Sequence, residues 1–316
     1  MNNLKKIGLT AIAASLASVS AHAVDLSVSG GASLSYTSNG NGGATTNNPW
    51  GMSDTANFSA SGELDNGWNV SFSLGLDGSK GAAASPFEDR TLSIDMGDMG
   101  TLTLNGEDGS SVTGAMDDKM PTAYEETWFQ ADGPGNGAAT NNMWNYSNSS
   151  IDGVTLMASF TPASATELES STEIGITYTG IDGLTIGLAS GTDGGAGLTS
   201  EVENQTMYVT YAYDAFTFGI QDNESDSEVA DADEEYRAYA VSYAVNDDLS
   251  VSIGMSDLDY EGSSTEIDTT QEATAISASY TMGSMSFGAT RSDVDNSGGD
   301  ENHDGAGYEI NLAFAF

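Results

Sequence analysis

The 316-residue sequence contains no cysteine, so no disulfide bond can hold the fold together. Basic residues are also scarce: seven Lys and Arg stand against 47 Asp and Glu, for a formal net charge of −40. Such a charge disfavours nucleic acids and anionic surfaces as partners, and it attracts cations. Adaptation to a salty medium is an alternative explanation of the same acidic surface.

Long apolar runs are missing as well. No stretch after the first 23 residues approaches the ~18 continuous apolar residues of a membrane helix. The lack of such runs does not exclude a β-barrel, because a barrel crosses the bilayer with strands in which apolar and polar residues alternate. The beginning of the chain predicts a secretory signal peptide, in which two lysines precede an apolar run over 7–19 and an Ala-His-Ala site ends at Ala23. We therefore predict an exported single domain over 24–316.

Apolar residues instead recur at every second position along almost the whole predicted mature chain. The first segment places Leu26, Val28 and Leu34 on one face and mostly serines on the other. Asp65-Asn66-Gly67 is a tight-turn signal between two such segments. The pattern predicts about sixteen strands joined by seven short and eight long connections. This all-β layout is typical of a transmembrane, antiparallel, up-and-down β-barrel with both termini on the short-turn side.

The distribution of side chains favours a barrel over a soluble sandwich. Acidic residues avoid the middle of the apolar stripes, and the opposite face is mainly Ser, Thr, Asn, Gly and Ala rather than bulky and charged. We interpret the aromatics at the short-turn ends as a girdle at a membrane interface: Trp68, Tyr178, Tyr213, Phe216, Tyr243, Tyr280, Phe314 and Phe316. The alternative explanation is that aromatic residues are enriched in β-strands of any kind.

These features resemble the Gram-negative general porins, in particular the Rhodobacter-type porins. The resemblance covers the whole mature chain and includes the opening VDLSVSGGASLSY, the GTLTLNGEDG strand before the longest loop, and the strand starts IDGVTLMASF and IDGLTIGLAS. It implies a homotrimer of sixteen-stranded outer-membrane barrels for passive diffusion of small hydrophilic solutes and ions, without a required cofactor. It also implies that the barrel-assembly machinery reads the terminal Phe316.

The longest connection, 107–141, is implied by this resemblance to fold into the barrel and narrow it. Lys119 is its only basic residue, and we find no arginine cluster of the kind that usually opposes this loop in the family. We therefore predict a cation-preferring pore, because rings of acids concentrate cations. Solvation of loop tips is the alternative role of these acids. The predicted constriction residues are Glu107, Asp108, Asp117, Asp118, Glu125 and Glu126.

Three arginines share a register with the outward apolar residues at the long-loop ends of strands. They are Arg90, Arg237 and Arg291. An arginine costs little at a membrane interface, about 0–1 kcal/mol. We predict that they contact lipopolysaccharide phosphates, and a salt bridge at the barrel rim is the alternative.

One late segment resembles a Ca²⁺-binding loop. Its oxygen-bearing residues occupy the positions of such a loop, with Gly298 at the sixth, although Asp replaces the usual Glu at the last. A chance match within an acid-rich loop is the alternative. The candidate ligands are Asp293, Asp295, Ser297, Glu301 and Asp304.

Three other functions are alternatives to a diffusion pore. An enzyme is disfavoured, because His303 is the only histidine after the signal peptide and no Ser-His pairing can be argued. A soluble, secreted, acidic β-rich surface protein would need no detergent. A substrate-selective channel would use aromatics in the lumen, for which the candidates are Tyr124, Trp128 and Phe129.

Overall fold

A computed structural model describes residues 25–40, 48–78, 87–107, 109–129, 131–135, 137, 141–163, 169–194, 201–227, 232–262 and 269–316. The predicted signal peptide and Asp108 lie outside the described residues. No helix among the described residues is long and apolar enough to cross a membrane.

Sixteen antiparallel strands make up the fold, and each pairs with its neighbours in sequence. The first eight are β1 Asp25–Gly40, β2 Trp50–Glu63, β3 Asn69–Asp77, β4 Phe87–Asp95, β5 Thr101–Glu107, β6 Met143–Ile151, β7 Val154–Thr161 and β8 Ser171–Ile181. The last eight are β9 Leu184–Asp193, β10 Val202–Tyr213, β11 Phe216–Ser227, β12 Ala232–Ala244, β13 Leu249–Gly262, β14 Gln271–Met282, β15 Met285–Asp295 and β16 Gly305–Ala315.

The last strand closes the barrel by pairing with the first. In this seam, Leu34 lies opposite Leu312 and Tyr36 opposite Ile310. The backbones of Gly30 and Phe316 exchange two hydrogen bonds, of 2.8 and 3.2 Å. Closure removes the two free sheet edges, which would otherwise expose unpaired N–H and C=O groups. The predicted fold class, strand number and terminal pairing are thereby confirmed.

Most large apolar side chains of the strands point outward, and most of the inward side chains are small or polar. Leu26 is 72% exposed and Met255 is 55% exposed, which in a soluble protein would be costly. Their neighbours on the opposite face are mainly Ser, Thr, Asn and Gly. Hydrocarbon outside and water inside satisfy both faces, so the period of two fixes which side chains line the lumen.

The strands extend further toward the long loops than the sequence pattern predicts. β11 continues through Asp222, Glu224 and Asp226, which were expected in a loop. These acids keep the outward register. Ile220, which faces outward, lies opposite Tyr239, and Asp222 lies two positions further along the same face, opposite Arg237. The backbone ladder therefore continues where apolar alternation stops, since strands project beyond the apolar band of a membrane into water.

Two details differ from the predictions that aromatics gather at the short-turn ends and that acids avoid the apolar stripes. A second aromatic group lies at the long-loop end, where the Tyr36 ring is 5.0 Å from that of Trp50 and 6.0 Å from that of Tyr308. Asp54 faces outward opposite Ala32, next to the highly exposed Met52. Aromatic side chains thus occur at both ends of the barrel wall, as expected for two membrane interfaces.

Candidate functional site

The segment between β5 and β6 lies against the inner wall of the barrel. Its residue Thr113 bonds to Glu173 on β8, and its Tyr124 hydroxyl donates to Glu309 on β16. β8 and β16 stand half the barrel apart in the strand order. Both partners belong to the polar inward-facing set, so this loop follows one half of the lumen and leaves the wall of β1–β5 opposite it.

A buried carboxylate fixes the beginning of the loop. Glu173 is only 1% exposed. It accepts hydrogen bonds from the Thr113 backbone N–H and from the Thr113 hydroxyl, both at 2.7 Å. Two short bonds to an ionised acceptor are stronger than neutral ones and compensate the burial of the charge. The loop is therefore held where it leaves β5.

Two amide side chains on β11 hold the middle of the loop. The Gln221 side chain donates to the Met116 carbonyl at 2.8 Å and accepts from the Lys119 N–H at 2.7 Å. The Asn223 amide donates to the Asp117 carbonyl at 2.7 Å. These bonds satisfy loop backbone groups that form no strand ladder, and they keep the chain flat against the wall.

Hydroxyl groups on the later strands hold the second half. The Ser252 hydroxyl accepts from the Ala123 N–H at 2.8 Å, and Ser277 donates to the Glu125 carbonyl at 3.0 Å. Trp128 packs with Tyr236 and Leu258 in a small apolar cluster between loop and wall. The Trp128 ring thus serves packing of the loop.

The loop carries carboxyl groups whose proton affinity is unusually high. Burial, followed by the charge of Asp118, raises the pKa of Asp117 to about 7. Burial and the adjoining Glu126 raise the pKa of Asp118 to about 6 and that of Glu125 to about 7. Like charges close together in a partly desolvated loop each favour the neutral form of the other. The predicted acids Asp117, Asp118, Glu125 and Glu126 are therefore brought into one interacting group.

The wall opposite the loop is rich in hydroxyl groups. Ser27 bonds to Ser59 at 2.7 Å, and Ser93 to Thr103 at 2.8 Å, across neighbouring strands. Among the described residues of β1–β6, no Lys or Arg occupies an inward-facing position. As the sequence indicates, this part of the chain therefore lacks the arginine cluster that usually opposes the loop in the family it resembles.

Glu107 has a different partner from the other predicted constriction acids. It ends β5 and forms an ion pair with Arg90 at 3.1 Å. A shift of register between Arg90 and Thr91 brings Glu107 opposite Arg90, which itself lies opposite the outward-facing Leu74. This geometry supports a rim ion pair for Glu107 and not a place at the constriction.

The other two arginines are also paired with carboxylates. Arg237 binds Asp222 at 2.8 Å and Glu235 at 2.6 Å, and Arg291 binds Asp293 at 2.6 Å. All three arginines keep the predicted outward register. The rim salt bridge, which was the alternative to lipopolysaccharide contact, is the arrangement that the structure shows.

The segment that resembles a Ca²⁺ loop is not wrapped around a common centre. Asp293 and Asp295 belong to strand β15, and Asp293 is engaged by Arg291. Asp304 instead accepts a hydrogen bond from the Asn296 N–H at 3.2 Å. Within the described part of the chain, no group of three or more His, Cys, Asp or Glu side chains is placed to hold a metal ion.

The sequence did not single out the wall residues that position the loop. Glu173, Gln221 and Glu309 occupy inward positions of ordinary polar alternation, so nothing local distinguishes them. Their size gives only a weak signal, because other large side chains, such as Tyr236 and Leu258, also lie on the inward face.

The comparisons with known proteins agree with this architecture. The family model for Gram-negative porins matches residues 8–190 and 167–316. The trimer form of OmpT from Vibrio cholerae superposes with a TM-score of 0.67 at 12% identity, over 93% of this chain and 100% of that chain. An anion-selective porin from Comamonas acidovorans gives 0.66 at 15% identity over the same shares, as does a mutant of the Rh. blastica porin. No curated protein matches the sequence.

Proposed function

The chain belongs to the Gram-negative porin family, which forms channels through the outer membrane, and we propose that this channel passes small hydrophilic solutes with a preference for cations. The sign of selectivity does not come with the fold, because the Comamonas acidovorans neighbour is anion-selective. It has to come from the charges that line the pore.

One observation carries the proposed cation preference: an acidic loop faces a wall without described basic groups. Asp117, Asp118, Glu125 and Glu126 lie on a segment fixed to one half of the lumen, and Lys119 is the basic residue beside them. Fixed negative charge in a narrow aqueous passage raises the local cation concentration and lowers that of anions. A hydroxyl-lined wall adds no opposing charge to restore the balance.

Neutralising the loop acids tests this proposal. The variant carries Asp117→Asn, Asp118→Asn, Glu125→Gln and Glu126→Gln, and its reversal potential is measured in a planar bilayer under a KCl gradient. We expect the cation-to-anion permeability ratio to fall toward that of free diffusion. Glu203→Gln, an exposed outward residue of β10, is a matched control for charge. An unchanged reversal potential in the fourfold variant rejects the assignment.

We also propose that the functional unit is a homotrimer. The trimer form of the Vibrio cholerae neighbour supports this assembly for the same fold. Conductance of single insertion events is then expected to close in three equal steps. Insertion with a single closing step would contradict a trimer of open pores.

Lipopolysaccharide contact by Arg90, Arg237 and Arg291 stays a proposal with a restriction set by the structure. Each guanidinium already has a carboxylate partner, so a phosphate must compete with that pair. Purified protein with all three arginines replaced by Gln is expected to retain less lipopolysaccharide than the wild type. Equal retention of lipopolysaccharide would show that these arginines only form ion pairs at the barrel rim.

The terminal Phe316 is proposed as the signal for the barrel-assembly machinery. Its backbone lies in the closing seam, whereas the residue as a whole is 81% exposed, so the wall of the finished barrel covers little of it. Deletion of Phe316 is expected to lower the folded fraction in cells more than the fraction refolded in detergent. A similar loss in both would assign Phe316 to seam stability instead.

A further inference from the structure

One carboxylate reaches into the lumen from the wall that faces the loop between β5 and β6. It belongs to Asp89, the third residue of β4. β4 and β12 stand half the barrel apart in the closed strand order. Trp128 of the loop packs on Tyr236 of β12. Asp89 therefore lies across the lumen from the middle of the wall that the loop covers.

A bulge and a glycine direct the Asp89 side chain into the lumen. The register between β3 and β4 shifts between Leu74 and Leu76, so Gly75 lies at the bulge. A Cβ atom at position 75 would lie 3.1 Å from Asp89 Oδ2 and 3.1 Å from Asn57 Oδ1. Gly75 is an inward position, because it stands between two outward-facing leucines. Both side chains are thus on the lumen side, and bulges are known to re-aim single side chains in this way.

The charge of Asp89 is not neutralised within the wall. Asp89 is exposed, and its neighbour Arg90 faces outward, where it pairs with Glu107 at 3.1 Å. Among the residues that the structure describes, no ion pair involves Asp89. Asp89 therefore adds a fixed negative charge to a wall that is otherwise rich in hydroxyl groups.

The tilt of the strands relates the height of Asp89 to that of the loop. Rows of paired residues climb toward the long-loop side with increasing strand number, because Leu184, which starts β9, lies opposite Tyr211, two residues before the end of β10. Strands about 4.8 Å apart and tilted about 40° raise a row by ~3 Å at each step.

By this measure, Asp89 lies at about the level of the loop acids. The row from Ser277, whose hydroxyl binds the Glu125 carbonyl, climbs three strands to Thr37, so Ser277 is ~9 Å below Thr37. Ser29 is eight residues before Thr37 on β1, or ~20 Å lower, and its row climbs three strands to Asp89. Asp89 is then ~11 Å below Thr37, within about 2 Å of the level of Ser277.

We propose that Asp89 is a selectivity-determining residue of the pore. A permeating cation passes between negative charges on both sides, from the loop acids and from Asp89, and an anion meets no positive side. Acids on facing walls raise the cation concentration across the whole width of the passage. This inference rests on the proposed cation preference and adds a determinant that lies outside the loop.

Reversal potentials in a planar bilayer under a KCl gradient test the assignment. Asp89→Asn removes one unit charge, so the cation-to-anion permeability ratio should fall about twofold. Asp95→Asn is the matched control, because Asp95 is an exposed inward acid of the same strand. It lies ~15 Å lower, which exceeds the screening length of about 10 Å in 0.1 M salt. Its substitution should leave the ratio nearly unchanged.

A change of charge at one introduced thiol separates electrostatics from structure. The chain has no cysteine, so Asp89→Cys offers a single site for methanethiosulfonate reagents. The anionic sulfonatoethyl reagent should restore the wild-type permeability ratio. The cationic trimethylammonium-ethyl reagent should lower the ratio about twofold below that of Asp89→Asn. A thiol that does not react would show that position 89 does not face the water of the lumen, and this would overturn the proposal.

Two further outcomes would contradict the role of Asp89: equal ratios after the two reagents, and equal shifts for Asp89→Asn and Asp95→Asn. The proposed cation preference fails separately. If the wild-type pore prefers anions, that preference is wrong, yet Asp89→Asn should still shift the ratio further toward anions. If the fourfold loop variant loses selectivity and Asp89→Asn does not change it, only the assignment of Asp89 fails.

Discussion

Acidification should remove the charge of the constriction before it removes the charge of ordinary carboxylates. The pKa values of Asp117 and Glu125 are raised to about 7 and that of Asp118 to about 6, mainly by burial on the loop. A raised carboxyl pKa means that the group becomes neutral as the pH falls through that value. Exposed Asp and Glu stay ionised until about pH 4. Lowering the pH from 8 to 5 therefore discharges these three groups selectively.

The size of the effect follows from simple electrostatics. These groups are roughly nine-tenths ionised or more at pH 8 and roughly one-tenth or less at pH 5. A unit charge about 7 Å from an ion in water contributes ~0.6 kcal/mol, which screening at 0.1 M salt roughly halves. The cation gains and the anion loses this amount, so each charge changes the permeability ratio about two- to threefold. Loss of three charges lowers the ratio on the order of tenfold.

Reversal potentials of single channels between pH 8 and pH 5 provide the assay. The cation preference should decline with a midpoint between pH 6 and pH 7, in line with the raised pKa values. In the variant with Asp117→Asn, Asp118→Asn and Glu125→Gln, the preference should be low and nearly independent of pH over this interval. A wild-type midpoint near pH 4, the ordinary carboxyl value, would refute the assigned burial of these groups.

Three further predictions concern how the loop is held. Glu173→Gln should increase open-channel noise, because it weakens two charge-assisted bonds worth about 1.5–3 kcal/mol each, whereas Glu203→Gln should not. Tyr124→Phe removes the hydroxyl that donates to Glu309, so brief conductance transitions should become more frequent; unchanged recordings would mean that the other wall contacts suffice. Because the Asp117 pKa is raised in the folded state, its contribution to stability falls as the pH rises from about 4 to about 7. The thermal midpoint should thus be higher at pH 5.5 than at pH 8, and Asp117→Asn should reduce this difference.

Much of the architecture follows from the order of residues alone. The alternation of Leu26, Val28 and Leu34 with serines assigns two faces without any tertiary information, because side chains in a strand alternate by geometry. The contrast of short turns, such as 214–215, with long connections fixes an up-and-down order. The alternating stripe at Tyr308 to Phe316 indicates the strand that closes the barrel, and the structure pairs it with β1.

The residues at which strands end were less predictable. The hydrophobic pattern indicates which medium surrounds a side chain, and it does not indicate how far the backbone hydrogen bonds between strands continue. Asp222 and Glu224 continue β11 beyond its apolar stripe. Outward-facing acids are tolerated in the part of a strand that lies in water, whereas apolar residues are favoured in the part that lies in the membrane. For the same reason Asp293 and Asp295, which resembled loop ligands, lie in β15.

The sequence by itself determined the barrel, its sidedness and the acidic character of its longest loop, because these depend on local periodicity and composition. Only the tertiary structure decided which acids act together. Glu107 pairs with Arg90 across β4 and β5, whereas Asp118 and Glu126 meet on the loop. It also revealed Glu173 as a loop anchor. Such contacts join residues far apart in sequence, and their energies depend on distance and burial, neither of which exists before the chain has folded.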